Sequence, residues 1–508
     1  MPSESAILFH LGRGDVTPAD VIALSDGRYR AMLDPSDEYA KRIDRGAELV
    51  QRRVTAEGRL RGITTRMRAV DAPGSNDDIQ QRVRQSFTRY HEVGVGDALP
   101  DRLAAAVVAV RLASLSRGFS GVRRSLLSLL CSMLNLRVLP RIPTYGSAGW
   151  NADAVPLSYL AAAVAGEGDV SYLGRVVPAT EALRAARLSP LALRPKEALA
   201  LMSGTGLMTA LGCIAWDRSR RFVRFAAALS AMATDVIGCG VSHLDPRIDG
   251  LKPHPGVRTA SEWMREDLEY AGRESTGGIA APELIRASAH VLGTQLDATS
   301  FAGTVLETEL NSVNDEPIVH PASGEFLLGG NFYGGAVTLA LDGIKSTVFS
   351  TASMLERMLT LVCEPTLNGG LPLDLVPPDQ KVAHGLRGIR ASAAGLLADL
   401  ATQVSPAAIR ARMAARDPTE LSSMGTHAAR ECLQVLSWAE TIAAMAALAF
   451  CQAVDLREGK GCHRRAKTIY GATRQLVPRL EADRAQDRDI TSVLELFRAG
   501  LLPVGLDT

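Results

Sequence analysis

The sequence predicts a mainly α-helical fold, and three features carry the prediction. Apolar residues recur at helical spacing over long stretches between residues 79 and 455. Alternations of β-branched and aromatic residues, the mark of strands, are few. Alanine-rich segments such as 104–113 and 442–449 allow long helices to approach closely. With 508 residues, 46% hydrophobic and 22% charged, the chain can bury a large core.

Taken in order, residues 6–10 read as a short strand, and Thr17-Pro18-Ala19-Asp20 reads as a helix start. Residues 38–59 place apolar positions at helical spacing among many charges, as in a solvent-facing helix, which Gly62-Ile63-Thr64-Thr65 ends. Residues 66–80, with Pro73, Gly74, Ser75 and Asn76, read as a polar, mobile loop. Helices are expected over 79–92, 100–116, 119–136, 154–165, 179–187, 196–216, 220–241, 259–271, 282–309, 332–361, 380–413 and 424–455. A small hairpin pairs 317–320 with 325–328 across Ser323-Gly324. The organisation expected is a smaller N-terminal domain over 1–205 and a helix-bundle and C-terminal region over 206–508.

A net charge of +1 makes no electrostatic case for nucleic acid or a charged membrane surface as partner. Seven scattered cysteines, mostly in apolar helical context, read as reduced core thiols of a cytoplasmic protein. The first residues lack a basic-then-apolar signal pattern, and no uninterrupted apolar run reaches the roughly 20 residues of a membrane span. No P-loop, Rossmann glycine pattern, His-Glu-x-x-His or Cys-x-x-Cys pair is present, and Cys462-His463 is too solitary for a metal. No metal, nucleotide or flavin is expected.

The most informative stretch is Pro143-Thr144-Tyr145-Gly146-Ser147-Ala148-Gly149-Trp150-Asn151-Ala152-Asp153-Ala154-Val155-Pro156-Leu157. It reads as a tight loop feeding a helix, with Asp153 placed to accept first-turn N–H groups and Pro156 tolerated in that turn. The stretch resembles the hallmark of the aromatic amino acid ammonia-lyases, the family of histidine and phenylalanine ammonia-lyases, written Gly-Ser-x-Gly-Ala-Ser-Gly-Asp-Leu-x-Pro-Leu. Gly146, Ser147, Gly149, Asp153, Pro156 and Leu157 stand in register, but the Ala-Ser-Gly triad is Trp150-Asn151-Ala152. In the family, that triad cyclises and loses water to form a methylidene-imidazolone, the electrophile that activates the substrate. Asn151 has no β-leaving group, Ala152 restricts the backbone, and Trp150 adds bulk. The electrophile is therefore expected to be absent.

The resemblance covers almost the whole chain. The segment 114–123, Leu244-Asp245-Pro246-Arg247, Asn314-Asp315-Glu316-Pro317, Gly329-Gly330-Asn331-Phe332 and Cys451-Gln452-Ala453-Val454-Asp455-Leu456-Arg457 fall in family order. It implies an ammonia-lyase/fumarase-like long central helix bundle and a homotetramer. Each active site would draw on more than one subunit, at a cluster of helix N-termini.

Arg286 keeps the family position that binds the substrate carboxylate, a task suited to a planar guanidinium fork. The neighbouring tyrosine is Glu283. Arg61 stands where the family has its mobile-loop tyrosine base, and an arginine stays protonated. The family's Asn-Gly-Thr-Gln becomes Ser203-Gly204-Thr205-Gly206, and its Asn-Gln-Glu-Asp-His segment becomes Asp417-Pro418-Thr419-Glu420-Leu421, which leaves the acidic position open between Thr419 and Glu420. His91 matches a substrate-binding histidine of histidine ammonia-lyases, and Tyr333 stands where those enzymes carry a histidine. The catalytic candidates are thus Glu283, Tyr333 and His91. The substrate-binding candidates are Arg286, Arg61, Trp150, Asn151 and Asn331.

Elimination of ammonia next to a weakly acidic C–H demands an electrophile and a base, and both family groups are replaced. Three readings follow. One is an electrophile-independent lyase acting on a small carboxylated substrate that carries its own leaving group, the logic of ergothionase-like trimethylamine lyases. There Trp150 could face a cationic group. The second is a repurposed acid/base enzyme of specialised metabolism, such as a cyclase or conjugate-addition catalyst. The third is a non-catalytic scaffold, with Trp150 filling the vacated site.

Overall fold

The computed structural model describes residues 7–57, 86, 88–147, 153–270, 280–380, 382–411, 421–460, 462–502 and 504. Two compact units emerge. The first comprises residues up to Asp217 with Gly303–Leu341 and Pro406–Arg430; the second comprises Arg218–Ala302, Asp342–Ser405 and the chain from Glu431 onward. Helices Gly206–Ile237, Glu283–Leu310, Gly335–Val362 and Gly425–Leu456 have residues in both. The mainly α expectation holds, and long helices dominate the described residues.

In the first unit the expected opening strand is Ile7–Leu11, paired in parallel with Tyr29–Leu33 in the register Ile7 to Tyr29 through Leu11 to Leu33. The second strand was not legible in the sequence, because its pattern is short and half exposed. Helix Pro18–Ser25 links the two strands and begins as expected. The Asp20 N–H donates to Thr17 Oγ1 at 3.2 Å, and the Thr17 N–H donates to Asp20 Oδ2 at 2.8 Å, a reciprocal capping box. Helix Asp37–Glu57 follows the expected amphipathic stretch. The expected mobile loop at 66–80 and most of the expected helix at 79–92 lie outside the described residues.

Helix Asp101–Leu115 is buried from Ala104 to Leu115, and its alanines and valines fill the core around Arg111. The helix expected at 119–136 starts later, at Arg124, because Gly118 and Gly121 hold φ of +88° and +66°, outside helical space. A three-stranded sheet, Leu139–Pro140 with Asp169–Tyr172 and Arg175–Pro178, turns at Leu173-Gly174, both with positive φ. Strand Val95–Ala98 runs antiparallel to Pro143–Tyr145. The expected hairpin is present as Ile318–Val319 against Phe326–Leu327.

The helices expected at 196–216 and 220–241 are corrected by the structure. The chain breaks at residues 203–205, where Gly204 has φ +119°, and then runs unbroken through Gly206–Ile237. The polar run at 217–221 looked like a break, but arginine favours helix, and Arg218 uses its charge on a partner described below. The helix expected over 380–413 is likewise shortened to Arg387–Ala401. The one expected at 259–271 is shifted to Pro255–Asp267, with proline in its first turn.

In the second unit, the Glu440 carboxylate, 1% exposed, accepts two bonds from Arg218 and one from Arg498, all at 2.8 Å. Arg457 donates to the Asn368 and Gly369 carbonyls at 2.9 and 3.0 Å. All seven cysteines are free thiols and six are buried; burial pushes the Cys131 and Cys363 thiols up to about 12, which makes them inert. The stretches Glu197–Ile237 and Gly425–Leu456 are long and apolar enough to cross a bilayer. Their most apolar windows are 100% and 72% buried within the protein, as in core helices.

Helix Pro255–Asp267 enters against helix Glu283–Leu310 with almost no space between backbones. The Gly256 N–H donates to Asp297 Oδ1 at 2.8 Å, and a Cβ on Gly256 would overlap the Gly293 carbonyl oxygen. Gly256→Ala is therefore expected to lower unfolding free energy by about 1–3 kcal/mol, read by urea denaturation; an unchanged midpoint would refute the close approach.

Candidate active site

The hallmark stretch is anchored at its two described ends, Ser147 and Asp153, and the anchor is the Asp153 carboxylate. Asp153 was expected to cap its own helix, Ala154–Ala165, but its side chain makes no such bond. Instead it accepts the Met208 N–H at 2.9 Å, the Ser147 hydroxyl at 3.1 Å and the Thr426 hydroxyl. Met208 lies in the first turn of Gly206–Ile237 and Thr426 in that of Gly425–Leu456. Asp153 thus caps a helix distant in sequence, and the positive ends of two long helices face one buried carboxylate. Burial pushes this carboxyl above the ordinary aspartate value, opposed by the bonds from Thr426, Met208, Ser147 and Leu207.

A third helix start joins them. A Cβ on Gly334, just before Gly335–Val362, or on Gly425 would run into the Met208 sulfur. The Thr338 hydroxyl donates to the Ser423 carbonyl at 2.6 Å. Glycine at both positions leaves room for the Met208 side chain between these chain segments.

Behind the carboxylate sits a second buried polar layer. The Asp153 N–H donates to the Gly204 carbonyl at 3.0 Å. A Cβ on Gly204 would collide with Asn314 Oδ1 and the Arg111 guanidinium. Arg111 donates to Asn314 Oδ1 at 2.7 Å and to the Ala200 carbonyl at 3.0 Å, and Asn314 Nδ2 donates to Thr205 Oγ1 at 2.9 Å. Asp315 accepts Ser120 Oγ at 2.6 Å, pairs with Lys196 Nζ and lies 3.6 Å from Arg111. Burial lowers the proton affinity of both Arg111 and Lys196, and Asp315 opposes it. Thr205 also donates to Glu309, whose carboxyl burial pushes upward, with Thr205 and Asn314 opposing and Asp153 adding to the rise.

Sequence reading missed Lys196, Arg111, Glu309, Thr426 and the Met208 N–H. Lone charges in apolar runs, such as Arg111 within 103–115, were the only signal available. The family landmark Asn314-Asp315 turns out to be framework: both side chains are spent on holding Arg111, Lys196 and Thr205.

Of the predicted site residues in the first unit, His91 is 3% exposed and its ring lies against Tyr90, tilted by 36° with 3.9 Å between centroids. Its segment adjoins the hallmark stretch, since a Cβ on Gly146 would meet Gly94 Cα at 3.1 Å and the Gly94 N–H donates to the Tyr159 hydroxyl at 3.0 Å. Tyr333 is 46% exposed, and its ring lies over Gly335. The Asn331 amide donates to the Val313 carbonyl at 2.9 Å, while Glu316 Oε1 accepts the Gly329 and Asn331 N–H groups at 2.7 and 3.3 Å and that of Gly330. Arg430 lies 4.5 Å from the Tyr145 ring centroid and donates to the Thr144 carbonyl at 3.0 Å. Arg61, Trp150, Asn151, Thr419 and Glu420 lie outside the described residues.

Glu283 and Arg286 belong to the second unit, in the first turn of Glu283–Leu310, and both are exposed. Among the described residues neither takes part in an ion pair, not even with the other three residues away. The ordinary alternative to a substrate-binding arginine, a helix-surface ion pair, is thus not formed with any described residue.

The comparisons agree with this architecture. Residues 16–475 match the family model described as aromatic amino acid lyase, so the chain belongs to the aromatic amino acid lyase family. It is 33% identical over 500 residues to the histidine ammonia-lyase of Aromatoleum aromaticum, spanning 98% of this chain and 94% of that one. Among solved structures, histidine ammonia-lyase from Trypanosoma cruzi superposes with a TM-score of 0.88 at 27% identity, over 98% of this chain and 94% of that one. Tyrosine aminomutase from Streptomyces globisporus does so with a TM-score of 0.85 at 28% identity, over 98% of each.

The buried pair gives a test. Lys196→Met leaves Asp315 with one distant guanidinium and is expected to cost about 3–5 kcal/mol in unfolding free energy. Lys196→Met combined with Asp315→Leu should recover part of that loss, and chemical denaturation of the two variants would show it.

Proposed function

We propose that this chain is a lyase that eliminates an amine from a small, carboxylate-bearing, amino-acid-like substrate without the methylidene-imidazolone of its family. The observation that carries the reading is Trp150-Asn151-Ala152 in place of the cyclising triad. Without a serine hydroxyl to expel, no exocyclic methylidene can form, so the leaving group must be activated by the substrate. A quaternary ammonium meets that demand because it departs as a neutral amine. Family membership and the histidine ammonia-lyase relatives support the lyase class.

Arg286 is the carboxylate anchor in this reading. Its support is the exposed guanidinium without an ionic partner among the described residues, since a substrate carboxylate then gains two charge-assisted bonds with no internal pair to break. We further propose that the chain works as a homotetramer. Large exposed apolar side chains, including Leu251 at 87%, Leu328 at 77% and Ile409 at 71%, fit subunit contact better than water.

The purified protein is expected to have the intact mass of its unmodified sequence and no methylidene-imidazolone absorbance; a mass short by two waters would refute the reading. Incubated with an Nα-trimethylated aromatic or imidazole amino acid it should release trimethylamine, and with the parent primary amine no ammonia. Ammonia release from the parent amino acid would count equally against it.

A further inference from the structure

We propose that Asp267 is a proton-operated latch in the second unit. Neutral, it lets the end of helix Pro255–Asp267 stay packed against helix Arg464–Leu476 and the chain end near Val504; ionised, it drives that junction open.

The surroundings of this carboxyl suit an acid better than an anion. Asp267 is 1% exposed, and neither of its oxygens accepts a hydrogen bond from a described residue. Buried carboxylates are held by donors that replace their water, so two oxygens without donors mark a group ill prepared to carry charge. Asp267 is also the last residue of its helix, where unpaired carbonyls concentrate partial negative charge and disfavour an anion.

Three arginines near it are committed elsewhere. From helix Arg464–Leu476, Arg465 brings Nε to 2.9 Å from Asp267 Oδ1, but the N–H is not aligned with the oxygen. Its directed bond runs from Nη1 to the Val504 carbonyl at 2.8 Å, and Nη2 lies 3.8 Å from Glu266. From helix Gly206–Ile237, Arg224 stands 3.8 Å from Asp267 Oδ2 and lies over the Trp263 ring, 4.3 Å from its centroid. Within helix Pro255–Asp267 itself, Arg265 donates to the Leu244 carbonyl at 3.0 Å and to Asp249 at 2.7 Å. Burial pushes the Asp267 carboxyl up to about 7, the like charge of Glu266 adds to the rise, and Arg464 opposes it.

Ionisation therefore works against the packed state. In an opened junction water restores an ordinary carboxyl, so the packed state holds its proton more tightly and takes one up as it forms. Its advantage is complete below about pH 4 and is lost as pH rises through about 7. The chain end shares the junction, since Leu502 and Val504 are buried and Val504 accepts from Arg465. On its other side the same helix meets the one carrying Arg286: the Ser288 hydroxyl donates to Met264 Sδ at 3.6 Å, within one turn of Asp267. The latch thus ties the chain end and the Arg286 helix to pH in the neutral range.

Hydrogen–deuterium exchange of the full-length protein at about pH 5.5 and about pH 8.5, each corrected for the intrinsic exchange rate, reads the junction locally. In wild type, protection across residues 255–267 and 464–476 should fall by roughly tenfold or more between the two conditions. Asp267→Asn, which keeps the shape of the neutral acid, should match wild type at the lower pH and retain that protection at the higher. An ordinary buried ion pair predicts the reverse, with the Asn variant losing protection at both pH values or failing to fold. Either of those results would overturn the latch, as would wild-type protection that does not change with pH or a pH-dependent loss that persists in Asp267→Asn.

Discussion

Burying a carboxylate is affordable only where donors replace its water, and in the first unit Asp153 meets that condition by recruiting them from elsewhere in the chain. Its oxygens collect a hydroxyl from the hallmark stretch, a main-chain N–H from one long helix and a threonine from another. Each donor fixes a different segment, so the carboxylate sets where both helices begin and where the two ends of residues 147–153 are held. The helix dipoles reinforce the choice, since both positive ends point at negative charge.

The layer behind it has the same logic with opposite sign. Arg111 and Lys196 are cations with no access to water, and Asp315, Asn314 and the Ala200 carbonyl neutralise and accept from them at close range, with Asp153 and Glu316 adding negative charge nearby. Removing one member strands the others in a low-dielectric interior.

Asp153, Gly204 and Thr205 hold the starts of the long helices, while Asn314 and Asp315 serve the buried cations behind them.

The sequence by itself determined the helical class, most helix positions, the hairpin at 317–328 and the helix start at Thr17. These depend on local periodicity and on caps three residues apart, which a linear reading contains. It also determined that no serine stands in the triad. The tertiary structure alone decided that Asp153 caps a helix more than 50 residues away, that the break falls at Gly204 and not at the charged run 217–221, and that Asn314 and Asp315 serve buried cations. Such pairings are satisfied across long loops, where burial and electrostatics choose the partner and sequence spacing carries no trace of the choice.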